Sequence, residues 1–127
     1  AEWSAEKAQQ IVQSVIDSGE SFNVIYAEND DMAKGAVAAL DKAGISHGVG
    51  KDVIIMGFDC NKWALEELLN QNWNYDGQCN PFQASYIHDI IQKLEAGETI
   101  AEKVIIMDEK GFDATTITQD DVTKYGI

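Results

Sequence analysis

The hydrophobic pattern of this chain changes period repeatedly, and that alternation limits its fold more than any other feature. Apolar residues three and four apart, the mark of an amphipathic helix, give way to short unbroken apolar runs, the mark of a buried strand. Ala5, Ala8, Ile11, Val12, Val15 and Ile16 share one helical face, with Ser4 as a plausible N-cap and Gly19 as a stop. A short apolar run at 23–27 follows. Met32, Ala33, Ala36, Val37 and Leu40 mark a second helix that ends at Gly44, and 53–58 reads as a buried strand. Ala64, Leu65, Leu68 and Leu69 mark a third helix, with Asn61 as its candidate cap. Residues 73–78 alternate and form a weaker strand. Asn80 and Pro81 read as a helix start, an N-cap followed by proline at the first helical position. Ala84, Ile87, Ile90, Ile91 and Leu94 form that helix's face, and Gly97 ends it. Residues 104–107 read as a fourth strand. The tail from Gly111 is polar and without clear period, so it is expected to be irregular.

The order is therefore helix and strand in turn, four times, then a tail. Such alternation indicates an α/β fold: a mainly parallel sheet with helices on both faces, in three αβα layers. Right-handed crossovers place the carboxyl ends of all strands along one edge. No internal repeat or linker interrupts the pattern, so residues 1–127 are expected to form a single domain. With 45% hydrophobic and 24% charged residues among 127, the chain can build a real core. No apolar run approaches the roughly 20 residues that span a bilayer. No charged-then-apolar leader precedes the first helix, so any export signal is expected to lie outside this chain.

Nine basic residues against 22 acidic ones give a net charge of −13. Such a surface repels phosphate backbones and anionic membranes, which argues against nucleic acid as a partner. The ordinary reading of the acidity is solubility. Cys60 and Cys79 have no second pair to complete a zinc set, and neither a metal nor a cofactor is expected. As a disulfide or as two free thiols, the cysteines leave both readings open.

In an open α/β sheet, ligands bind beyond the carboxyl ends of the strands. That rule selects Glu28-Asn29-Asp30-Asp31, Phe58-Asp59-Cys60-Asn61 and Gln78-Cys79-Asn80. Amides offer donors and acceptors together, and a carboxylate accepts from two adjacent hydroxyls, so the set suits a sugar. Phe58 could offer an apolar surface to the C–H face of the ring. Helix capping competes for the same residues: Asp30 or Asp31, Asn61 and Asn80 could each simply cap the helix that follows.

At these positions the sequence resembles the C-terminal lobe of type I periplasmic sugar-binding proteins, of the ribose- and galactose-binding kind. The matching stretches are Glu2-Trp3-Ser4-Ala5-Glu6-Lys7-Ala8, then Ile25-Tyr26-Ala27-Glu28-Asn29-Asp30-Asp31-Met32-Ala33-Lys34-Gly35-Ala36. Val53-Ile54-Ile55-Met56-Gly57-Phe58-Asp59 and Gln78-Cys79-Asn80-Pro81 follow. The resemblance covers nearly the whole chain, and the N-D-x-M-A-x-G-A segment together with G-F-D carries most of its specificity. It implies that Asn29 and Asp59 bond sugar hydroxyls and that Phe58 lines the pocket. In the ribose-binding members a glutamine two residues before the proline makes a third contact. Cys79 holds that place here, with Gln78 one residue earlier. A one-residue offset turns a strand side chain to the opposite face, so Gln78 or Asn80 could substitute only with a local change of backbone. Cys79-Asn80-Pro81, with Asp108-Glu109 and Phe112-Asp113, looks closer to the galactofuranose-binding branch.

The resemblance further implies the solute-binding component of a sugar ABC transporter, periplasmic or extracellular and membrane-tethered, gripping a monosaccharide between two lobes for a membrane permease. Relative to that family the chain lacks the N-terminal lobe and the first strand, helix and strand of this one. The expectation is a fragment, incomplete at its N-terminus, with an exposed sheet edge that pairs into a homodimer or with the missing N-terminal lobe. A clean monomer in solution would count against this. Half a cleft should bind sugar weakly or undetectably, and calorimetry showing micromolar affinity would overturn that.

A transcription regulator of the lactose-repressor type is the alternative, since its effector lobe shares the fold. Such regulators usually carry a second aspartate after G-F-D, where Cys60 stands, and this chain has no helix-turn-helix. An enzyme is not expected. There is no G-x-S-x-G elbow. Gly48-Val49-Gly50-Lys51 lacks the rest of a phosphate loop and reads as a turn. His47 and His88 stand alone, and Asp120-Asp121 reads as a solvated pair. A phosphoacceptor role for Asp59 lacks its lysine, because Lys103 begins a strand rather than ending one.

Overall fold

The computed structural model describes residues 1–127 and contains five helices and one four-stranded sheet. In chain order these are α1 (Ala5–Ser18), β1 (Val24–Tyr26), α2 (Asp30–Ala43), β2 (Ile54–Asp59), α3 (Lys62–Leu69), β3 (Tyr75–Gln78), α4 (Ala84–Glu95), β4 (Gly111–Asp113) and α5 (Gln119–Tyr125). The sheet order is β1-β2-β3-β4, and the first three strands are parallel. None of the helices is long and apolar enough to cross a membrane.

The first half follows its sequence signals closely. Ser4 accepts a hydrogen bond from the Lys7 N–H at 3.2 Å, and Gly19 closes α1 in the left-handed conformation that glycine adopts without strain. Gly44 closes α2 in the same way. One face of the sheet presents Ile25, Ile55, Gly57, Asp76 and Phe112, neighbours across the ladder. Against that face pack Leu40 of α2, Leu65 and Leu68 of α3 and Val122 of α5, with Trp73 wedged in before β3. The other face carries Val24, Tyr26 and Ile54, all exposed. α4 has the apolar stripe such a face calls for, in Ile87, Ile91 and Leu94, yet buries none of its residues.

The second half departs from the sequence reading. Residues 104–107 form no strand; Val104 is 72% exposed and Ile106 87% exposed. The outer edge of β3 is taken instead by β4, which runs antiparallel and pairs Phe112 with Asp76. Phe112 decides this competition: it enters the core and packs on Tyr125 with ring centroids 5.3 Å apart. The tail is likewise ordered. Thr118 and Asp121 form a reciprocal capping box that starts α5, and Val122 anchors it. Asp121 is thus not a solvated pair with Asp120. It accepts from Lys110 Nζ at 2.8 Å, and the bonds from Lys110 and Thr118 hold its carboxyl down at about 2.

Three capping expectations also change. α4 begins at Ala84, not at Asn80 and Pro81; Asn80 Oδ1 accepts instead from the Phe82 N–H at 2.8 Å. Asn61 precedes α3 but makes no side-chain cap. The cap of α2 is Asn29 rather than Asp30 or Asp31.

Candidate functional site

The turns after β1 and β2 lie against each other at the carboxyl edge of the sheet. Asp30, first residue of α2, turns inward; its Oδ2 accepts from the Asn61 backbone N–H at 2.8 Å and from Asn61 Nδ2 at 3.1 Å. Those bonds tie 29–31 to 59–61. Asn29 Oδ1 accepts from the Met32 N–H at 2.9 Å, while its amide nitrogen bonds to no protein group. Capping and ligand contact are therefore not exclusive for Asn29: the oxygen caps and the N–H₂ stays available. The residue is nearly buried, at 6% exposure.

Asp59 ends β2 with φ +122°, and Cys60 follows at +63°. Two successive non-glycine residues in this region are strained, and such strain collects at sites where geometry is enforced for a purpose. Partial burial, then the nearby charge of Asp31, raises the Asp59 carboxyl above its ordinary range. On β3 the residue aligned with Asp59 is Gln78, not Cys79. The Gln78 backbone N–H donates to the Lys110 carbonyl at 2.9 Å, and its Oε1 accepts from the Lys110 N–H at 3.3 Å. Asp59 and Gln78 thus end β2 and β3 side by side, and Asn29 caps α2 three residues beyond β1 at the same edge of the sheet.

The remaining candidates lie apart from that trio. Phe58 points to the uncovered sheet face, over Gly77 and edge-on to Tyr26 with centroids 5.4 Å apart. A Cβ on Gly77 would come within 2.5 Å of the Phe58 ring, so only glycine fits there. Cys79 is exposed and unpaired; Cys60 is fully buried, and the two form no disulfide. Burial, followed by the charges of Asp76 and Asp30, pushes the Cys60 thiol up and keeps it protonated. The Asn80 backbone N–H donates to Glu109 Oε1 at 2.7 Å, so Asn80 is engaged by the 108–110 segment.

The rim is open surface and lines none of the larger clefts. A cleft of about 430 Å³ runs along the groove between α2 and α3, lined by Lys34, Asp41, His47, Trp63 and Trp73. There His47 bridges the Asn72 carbonyl (2.9 Å) and Asp41 (3.1 Å), a structural contact between α2 and the approach to β3. Sequence reasoning missed Asp76, which is fully buried one ladder position from Gly57. The alternation of 73–78 carried the signal: a strand that places Tyr75 and Gly77 on one face places Asp76 on the other.

A family model described as periplasmic binding protein domain matches residues 1–99. The fructose import binding protein FruE of Bifidobacterium longum (strain NCC 2705) is 33% identical over 118 residues, 91% of this chain and 35% of that protein. The galactofuranose-binding protein YtfQ of Escherichia coli (strain K12) is 25% identical over 108 residues, 83% of this chain and 33% of that protein. A crystal structure from Mycobacterium smegmatis, in complex with β-D-fucofuranose, superposes with a TM-score of 0.74 at 29% identity. The superposition covers 87% of this chain and 36% of the other. The chain therefore spans about a third of the length of the relatives it matches.

Proposed function

The chain belongs to the periplasmic binding protein domain family, and from that membership we propose that it is the C-terminal lobe of a sugar-binding protein serving an ABC transporter. The observation that carries this reading is the convergence of Asn29, Asp59 and Gln78 on the ends of β1, β2 and β3. In it the Asn29 N–H₂ donates to a sugar oxygen and the Asp59 carboxylate accepts from hydroxyls. Gln78 supplies the third contact from its place beside Asp59. A monosaccharide in furanose form fits best, because two of the likenesses concern furanose sugars.

A second lobe closes over the sugar from the other side. Closure is favoured because the ligand touches both lobes in the closed form and only one in the open form. A permease reads the closed shape, in the periplasm or at the outer cell surface, and the sugar leaves chemically unchanged. β1 ends the sheet with one side unpaired, and a second copy or a partner fragment would pair there.

A titration of the ¹⁵N-labelled chain with D-fructose and D-ribose tests the binding reading. At tens of millimolar sugar the amide resonances of 29–31, 59–61 and 78 should shift, with affinity in the millimolar range or weaker because half the contacts are missing. Shifts gathered instead around His47 and Asn72, with the rim amides unmoved, would assign the ligand to the opposite end of the strands and end this reading.

A further inference from the structure

We propose that Asp30 and Asp76 share one proton beneath the rim, and that this proton holds the strained Asp59-Cys60-Asn61 turn in shape. Only the description of that turn as part of a binding site rests on the function proposed above.

Both carboxyls are fully buried. Asp30 uses Oδ2 to accept both Asn61 donors, while its Oδ1 and both oxygens of Asp76 meet no donor in hydrogen-bond geometry, although the Cys60 backbone N–H faces Asp76. Asp30 Oδ1 lies over Gly57, close enough that a Cβ there would stand 2.6 Å from it. Gly57 and Asp76 are direct neighbours across the β2–β3 ladder. The two carboxyls therefore share one pocket on the covered face, walled by Trp73, Ile55, Ala64 and Phe112.

The titratable groups acting on the pair are Asp59 and Cys60 from the end of β2, and neither supplies positive charge. Asn61, just before α3, donates to Asp30, and the Cys60 backbone N–H faces Asp76. β4 contributes Phe112, which is apolar. Two ionised carboxylates there would face each other with no positive charge from the protein between them. A single O–H from Asp76 to Asp30 Oδ1 removes one charge and satisfies two of the three orphaned oxygens, one Asp76 oxygen as donor and Asp30 Oδ1 as acceptor. Burial, then repulsion from Asp30, accordingly pushes Asp76 up to about 9, and burial raises Asp30 to about 6.

The direction of the pH effect follows. Below the unfolded-state value of 3.8 both states hold the proton and the pair contributes no dependence. Between 3.8 and about 6 the folded pair holds two protons that the unfolded chain has released, and between about 6 and about 9 it holds the one shared proton, so stability falls as pH rises throughout. As the proton leaves to water, the pair goes from one negative charge to two, and repulsion pushes Asp30 away from Asn61.

The test compares the wild-type chain with Asp76→Asn, which keeps the shape of the protonated acid and offers an N–H in place of its O–H. The wild-type melting temperature should fall by on the order of 10 °C between pH 5 and pH 8. The variant should lose most of that slope and melt higher than wild type at pH 8. In the wild type, the Asn61 backbone amide shift should follow the same midpoint as a carboxyl ¹³C signal of Asp76, well above pH 5. In the variant the Asn61 shift should stay constant across that range. An Asp76 carboxyl that titrates below pH 5, or an unchanged stability slope in the variant, would overturn the shared proton. An Asn61 amide indifferent to the Asp76 midpoint would overturn its hold on the turn. None of these readings requires sugar, so a chain that binds none would end the functional reading alone.

Discussion

Trp73→Ala should destabilise the chain by about 3–5 kcal/mol, the usual cost of deleting a large buried aromatic. Trp73 has the largest fully buried side chain in the molecule. Its ring meets Trp63 edge-on with centroids 5.8 Å apart, and it also covers Gly57, where an added Cβ would stand 2.9 Å from it. The indole thus fills the space that β2 leaves by carrying glycine. Against a stability of about 5–15 kcal/mol for ordinary domains, such a loss leaves little in reserve. Urea unfolding followed by circular dichroism would measure it. A loss below about 1 kcal/mol would mean that the site repacks and that Trp73 is not the keystone described.

Gly35→Ala carries an effect whose sign separates two arguments. Alanine favours a helix interior over glycine by about 1 kcal/mol, so propensity alone promises stabilisation. Packing says the opposite. α1 crosses α2 with the Ala5 carbonyl directly over Gly35, and a Cβ there would stand 2.0 Å from that oxygen. The obstacle is backbone, which cannot rotate aside as a side chain can, so the start of α1 must lift. The expected outcome is a net loss of about 2–3 kcal/mol, with faster amide exchange confined first to α1. Urea unfolding and hydrogen exchange on the same sample read both effects.

The strand ends proposed to grip the sugar were legible because their strands are. β1 and β2 are apolar runs between well-capped helices, and once they are parallel the edge carrying Asn29 and Asp59 follows from chain direction alone. Gln78 was ambiguous for a physical reason. Counting back from Pro81 favours Cys79, whereas the ladder that pairs β3 with β2 aligns Gln78 with Asp59, and sequence does not state a register.

The second half was misread where local pattern and tertiary competition disagree. Residues 104–107 have a strand's composition, but the vacant edge of β3 goes to Gly111–Asp113, whose single core residue, Phe112, gives no periodic signal. Thr118 and Asp121 did carry a readable capping box, hidden by the acidity of the stretch. The buried carboxyls were least legible of all, since an aspartate in sequence looks the same whether it meets water or another carboxyl.

The most direct test of the rim is the sugar titration repeated with Asp59→Ala and Asn29→Ala beside the wild-type chain. The expected result is that the wild-type rim amides move with added sugar while each variant, still folded by its amide spectrum, responds at least tenfold more weakly. Equal responses in all three chains would contradict the assignment of carbohydrate to the shared ends of β1, β2 and β3.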